Sequence, residues 1–338
     1  MQFRASLRNT LFAITLTGIV APLLHAQQTE EVPSAPSATA AQAQAPAPAP
    51  APAPVPGIPQ FPPVDPGNFT ANTPTKETVD AFLHQLWGYD SDRVWQVQAI
   101  QKTAAPSVSR VTVLAAQKNN PQQIGTLQFF TTPDGQHLIS TEVMPFGPRP
   151  FDSVRKTLQT EATGPSRGAA TKELLLVEFA DFQCPHCKNA QPIIQKLLQD
   201  FPNAHFVFEN LPLTSIHSEA LKAALYGVCA AKLGGNDAFF KFADSVFTNQ
   251  ASLTPEGSEA MLNDAATKAG LDAAKVAACS QTPEAKNNVQ ASIRLAQDLN
   301  VSETPTLFVN GRSVPLNVEA LPYETLKKIV AFQIENDK

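Results

Sequence analysis

Cysteine is scarce, with four in a chain of 338 residues. So few cannot staple a disulfide-dense scaffold, nor supply the ligand pairs of a multi-site zinc protein. Charge is scarce as well: 16% of residues are charged and the net charge is -5. That balance excludes the basic domain or stripe by which nucleic-acid binders are recognised. Long apolar runs are also missing. Beyond Leu11–Leu24, no segment nears the roughly 20 apolar residues needed to span a bilayer. What the chain has in excess is proline, 30 residues, and 43% of it is hydrophobic, enough for at least one buried core. Its length fits one to three domains.

The N-terminus reads as a secretory signal. Arg4 and Arg8 precede the uncharged apolar stretch Leu11–Leu24, and Leu24-His25-Ala26 offers a cleavage point before Gln27. An uncleaved membrane anchor is the alternative, since Leu24 is larger than the small residue preferred there. No cysteine lies near the cleavage point, which argues against a lipid anchor. Either way the body is expected in an exported, periplasm-type compartment that permits disulfides.

From residue 27 to 75 alanine and proline dominate, and this segment contains no lysine or arginine. Proline has a fixed φ and no backbone donor, so the segment is expected to be a disordered, extended spacer. A ligand for a proline-recognising domain is the less supported reading. Ordered structure is expected from Lys76. Val79, Phe82, Leu83 and Leu86 recur at helical spacing across Glu77–Trp87. Strands are expected at Val108–Ala116, Gly125–Thr132 and His137–Met144, the last two joined by the turn Pro133-Asp134-Gly135-Gln136. A helix from Pro150 to Leu158 completes a small α+β module at 76–162. It shows no paired carboxylates, metal-ligand spacing or glycine-rich phosphate loop. The second domain, 163–338, follows a glycine- and proline-marked boundary.

That domain carries the chemistry. Leu174–Phe179 is an apolar run broken only by Glu178, the pattern of a buried central strand. Five residues on come Cys184-Pro185-His186-Cys187, then Ala190, Ile193, Ile194, Leu197 and Leu198 at helical spacing, then a strand at His205–Glu209. A Cys-x-x-Cys at a helix start within a βαβ unit is the context that redox chemistry needs. The helix dipole favours negative charge at Cys184, which is therefore expected to be the attacking thiolate. A protonated His186 would add to this. Cys187 is the partner thiol, expected to be more buried. The alternatives carry less support: zinc lacks a second ligand pair, and haem attachment needs histidine at 188, which is Lys188. Neither a metal nor a cofactor is called for.

The stretch Val177–Cys187 resembles the DsbA-type thiol:disulfide oxidoreductases of the thioredoxin superfamily, as does Thr304-Pro305-Thr306 ahead of Leu307-Phe308-Val309. The resemblance covers about 173–338. It implies an α/β, thioredoxin-like fold with an inserted helical domain at about 218–299, here preceded by the α+β module and the Pro/Ala-rich linker. It implies that Pro305 is cis and that Thr304 and Pro305 hold the substrate strand. It places a buried acid at Glu178, where a solvent-facing strand glutamate is the other reading. Asp181 reads as a loop residue, and His217 as a structural histidine that could face the site. Some members carry a second disulfide in the insertion, which would pair Cys229 with Cys279; two buried free thiols are the alternative. The implied partners are unfolded or disulfide-containing exported proteins and a redox protein that resets the site. Three activities stay open. The Pro185-His186 dipeptide points to a dithiol oxidase. The extra module and Thr304 point to an isomerase dimerising through that module, as in DsbC/DsbG-type proteins. A non-catalytic peptide-binding chaperone is the third.

Overall fold

The computed structural model describes residues 59–140, 143–316 and 321–337; the expected signal peptide and most of the spacer lie outside them. Helix α1 (Lys76–Trp87) starts at Thr75, whose hydroxyl accepts from the Thr78 amide. Its apolar stripe, Val79, Phe82, Leu83 and Trp87, packs on an antiparallel sheet of β1 (Arg93–Lys102), β2 (Ser109–Gln117), β3 (Asn120–Thr131), β4 (His137–Ile139) and β5 (Val143–Pro145), in that order. Strand β1 is an addition to the strands expected from sequence. A register shift between Val97 and Ala99 breaks its two-residue alternation, which masks the pattern. The strand expected over His137–Met144 is instead two short ones.

The spacer expectation needs correction at its C-terminal end. Residues 59–75 lie along β1 and β2: Ala71 donates to the Ile100 carbonyl, and Gln96 and Gln98 both donate to that of Pro62. A proline cannot donate, but its carbonyl accepts, and its extended backbone suits a place beside an edge strand.

Helix α2 (Asp152–Glu161) leads into a second sheet, in the order β10 (Arg312–Pro315), β9 (Thr306–Val309), β7 (Leu174–Ala180), β8 (Ala204–Asn210), β6 (Ser166–Gly168). Strands β7 and β8 are parallel and joined through α3 (Pro185–Asp200); β6, β9 and β10 run antiparallel to their neighbours. The strand β7 is buried along its whole length, as an apolar central strand must be. Between β8 and β9 stand α4 (Ala220–Thr248), α5 (Ser258–Lys268), α6 (Ala273–Ser280) and α7 (Pro283–Asp298). Helix α4 kinks at Gly235, whose φ of 76 is open to glycine. The inserted helices, α3 and α8 (Tyr323–Asn336) enclose the main core on one sheet face, while α2 and the end of α7 cover the other. This is the thioredoxin-like α/β architecture with a helical insertion that the sequence implies.

Two features fix the β9–β10 hairpin. Asn310 and Gly311 both take positive φ, and a Cβ at Gly311 would lie 2.4 Å from the Phe151 carbonyl oxygen. On β10, Arg312 donates to the Gln85 and Leu86 carbonyls at the end of α1, tying the two sheets together. Among the described residues, no helix is long and apolar enough to cross a membrane.

Candidate active site

The site forms where β7 ends and α3 begins. Cys184 is the residue before the first turn of α3 and Pro185 occupies that turn, where a missing amide hydrogen costs nothing. Both Cys184 and Cys187 are free thiols and both are buried, Cys187 completely. The Thr304–Pro305 peptide is cis, and the Thr304 carbonyl oxygen lies 3.5 Å from Cys184 Sγ. The Thr304 hydroxyl is buried there and has no partner while Cys184 is a thiol donating to the Thr304 carbonyl, which leaves it free to serve a charged sulfur. Thus residues 120 positions apart meet at one sulfur.

The two thiols are electrostatic opposites. Hydrogen bonding from the Cys187 thiol, from the Thr304 side chain and from the amides of Cys187 and His186 outweighs burial and brings Cys184 down to about 5. Burial pushes Cys187 well above its ordinary value, and the neighbouring Cys184 and Glu178 add to the rise. Glu178 faces α3 from the middle of β7, is fully buried, and is pushed up to about 7 by desolvation, against the lowering effects of Gln191 and Arg167. Gln191 bridges the pair, its amide donating to Glu178 Oε1 at 3.2 Å and to the Cys187 carbonyl at 3.1 Å.

His186 reaches Cys184 through its backbone. Its ring is exposed and makes no hydrogen bond among the described residues, so its contribution to Cys184 is the backbone amide. A ring in water gains little by leaning on a sulfur that the backbone already serves.

The loop before Cys184 is held from three sides. Asp181 is buried, and its carboxylate accepts from the Gln183 amide at 2.7 Å and the Leu213 amide at 2.9 Å, with His217 Nδ1 at 2.8 Å. Gln183 reaches the insertion through the Leu253 carbonyl and the Glu219 amide. From the insertion, Gln250 donates back to the carbonyls of Phe182 and Cys184. Asp181 is therefore a buried brace rather than an ordinary loop residue, and His217 is its partner. Gln191 had a signal in the sequence, standing one helical turn after Cys187. Gln250 had none, because its role depends on how the insertion folds back.

A thioredoxin family model matches residues 160–331, just over half of the chain and inclusive of both site motifs. The chain belongs to the thioredoxin family. Within the family's span lie the Cys-x-x-Cys at 184–187, the cis Pro305 and every strand of the second sheet. Curated relatives include the sodium/proton antiporter NhaA 3 of Salinispora tropica, 34% identical over 157 residues, or 46% of this chain and 23% of that protein. Another is NhaA of Herminiimonas arsenicoxydans, 31% identical over 147 residues, or 43% of this chain and 22% of that protein. The chain thus spans under a quarter of the length of these curated relatives. Among solved structures, a periplasmic thioredoxin-like protein from Salmonella enterica serovar Typhimurium is similar, with a TM-score of 0.44 and 21% identity over 54% of this chain and 97% of that one. So is BdbD from Bacillus subtilis, with a TM-score of 0.45 and 22% identity over 51% and 93%.

The structure contains a Cys229–Cys279 disulfide, with Cα atoms 5.8 Å apart, joining α4 to α6. It lies within the insertion and apart from the reactive pair.

Proposed function

We propose that this protein exchanges disulfides with exported protein substrates and works as a dithiol oxidase. The observation that carries this reading is the opposed pair: Cys184 held as a thiolate, and Cys187 held as a thiol beside a raised Glu178. In the oxidised protein a substrate thiolate attacks Cys184 Sγ. The S–S bond breaks, and Cys187 leaves with the electron pair and takes a proton from Glu178. A second substrate thiolate then attacks the substrate sulfur of the mixed disulfide and releases Cys184 as a stable thiolate. Two electrons pass from substrate to protein, and a redox partner must remove them. A low leaving-group pKa favours this direction. Thr304 and Pro305 hold the substrate segment, and the compartment is periplasmic or otherwise exported. Nucleic acid has no place in this scheme.

A second reading rests on one observation. Phe130 and Ile139 pair across β3 and β4 and are both exposed, which gives the first sheet an apolar patch for self-association. A dimer of that kind would suit an isomerase.

The deciding experiment supplies the oxidised protein to a reduced, unfolded substrate and follows disulfide formation and recovery of folded substrate. Stoichiometric transfer, with Cys187→Ala first converted to a Cys184–glutathione mixed disulfide and then exchanging glutathione for a substrate thiol, supports the oxidase. A potential near the roughly −270 mV of reducing thioredoxins refutes it. Unscrambling of a mispaired substrate by a dimer favours the isomerase.

A further inference from the structure

One charged group near the reactive pair plays no part in the scheme above. Arg167 stands on edge strand β6, opposite Phe206 of β8. Phe206 is in register with Leu176 of β7, and Phe208 with Glu178. Arg167, Phe206, Phe208 and Glu178 therefore project from the same sheet face, because register partners share a face and side chains two apart do too. That face is the one covered by α3 and the insertion. Two strand spacings, about 10 Å, separate β6 from β7, a gap that an extended arginine can largely cross.

The guanidinium does not turn out to solvent. Its Cζ lies 4.4 Å from the Phe240 ring centroid and 5.4 Å from that of Phe206, in a slot between α4 and the sheet. Its Nε is buried and has no hydrogen-bond partner. Among the described residues, no carboxylate lies within ion-pair distance of it. Two carboxylates feel its field from farther away: Glu178 inside, and Asp244 at the exposed end of the slot, one turn after Phe240. The groups facing Glu178 are then Cys187 and Gln191 from α3, Arg167 from β6, and Asp244 from α4 beyond Arg167. Its register neighbours on β8 and β9, Phe208 and Leu307, are apolar.

We propose that Arg167 is a positioning residue for thiol exchange: it stabilises the Glu178 carboxylate that remains once Cys187 has taken its proton. The inference rests on the oxidoreductase reading of the site. As the incoming substrate thiolate bonds Cys184 Sγ, the Cys184–Cys187 bond breaks and its electron pair stays on Cys187 Sγ. The proton moves from the Glu178 carboxyl to that sulfur. The anion left behind sits in an apolar core, where Arg167 is the one cation acting on it among the described residues. A low-dielectric slot lets this charge act over a distance at which water would screen it. The bulky rings of Phe206 and Phe240 keep the guanidinium in place without a bonded acid, which would otherwise neutralise it.

The test compares wild-type protein with Arg167→Met, which fills the same slot, and Arg167→Lys, which restores the charge. The Glu178 carboxyl is titrated by carbon NMR, and reduction of the active-site disulfide by dithiothreitol is timed against pH. The expected result for Arg167→Met is a Glu178 acid dissociation constant lower by roughly tenfold, with the pH profile of reduction displaced upward to match. Arg167→Lys should return most of both. In a Glu178→Gln background, Arg167→Met should change the profile no further. An unmoved Glu178 midpoint in a variant that melts like wild type overturns the proposal. So does an equal effect in the Glu178→Gln background. A wild-type protein inert to thiols overturns the oxidoreductase reading itself, and the NMR midpoint then shows whether the Arg167–Glu178 coupling stands without it.

Discussion

Replacing Thr304 with valine removes one hydroxyl next to Cys184 and leaves the side-chain shape almost unchanged. The wild-type hydroxyl is buried, without another partner, and contributes to lowering the thiol. A hydrogen bond to a charged group is worth about 1.5–3 kcal/mol, which equals roughly one to two pH units. The variant's Cys184 midpoint should therefore rise from about 5 by that amount; Thr304→Ser should remain near the wild type. Thiolate absorbance near the ultraviolet edge, followed against pH with Cys184→Ala as blank, measures it. The same shift has a thermodynamic signature. Cys184 is depressed in the folded state, so its contribution to the reduced form is full above the unfolded value near 9 and is lost as pH falls to about 5. In that window the reduced form gains about 1.4 kcal/mol per pH unit over the oxidised form, or about 2.7 kcal/mol at pH 7. Cys187, being raised, is protonated in both states below about pH 9 and adds nothing to the slope there. Reduction between pH 6 and 8 then consumes one proton, and the midpoint potential should fall by about 30 mV per pH unit rather than about 59. Measuring this in Glu178→Gln removes the carboxyl that titrates near 7. A slope near 59 mV in Glu178→Gln, or a Thr304→Val midpoint equal to wild type, would refute the electrostatic account of the site.

Two further outcomes follow from the frame around the thiols. Loss of the Cys229–Cys279 bridge, as a double alanine variant, should cost roughly 4 kcal/mol in the chain-entropy model for its 50-residue separation; denaturant titration reads the loss, and the redox potential of Cys184–Cys187 should hold. Asp181→Ala leaves two amides and His217 without their acceptor in a buried place, so about 2–4 kcal/mol of stability should go; a thermal midpoint unchanged from wild type would contradict the bracing role.

The thioredoxin-like frame was legible because its signals are local. An apolar strand, a Cys-x-x-Cys at a helix start, a Thr-Pro before a strand and an Asn-Gly turn each name their own structure. Glu178 was legible for a related reason, as the one acid in a run of buried residues. What escaped depended on distant chain. The partners of Gln250, Asp181 and Arg167 come from other elements, and no spacing rule anticipates them. His186 shows the reverse case: a residue type suited to the chemistry stands in the motif, and the contact seen with Cys184 is made by its backbone amide. Strand β1 escaped because a bulge interrupts its alternation, and residues 59–75 because proline content outweighed the carbonyls that such a segment still offers.

The bridge between α4 and α6 has a consequence for anyone handling the protein. Cys229 is buried and Cys279 half-buried, while the Cys184 sulfur lies at the end of a helix against an accessible loop. Mild reductant should therefore leave the bridge closed and offer an alkylating reagent the Cys184 thiolate alone in the native protein, and denaturation with strong reductant four thiols. Refolding from the fully reduced chain faces three possible ways to form two bonds from four cysteines, of which one is native. Material made where thiols stay reduced would carry an intact reactive motif on an unfastened insertion, with the native redox potential but less of the native stability.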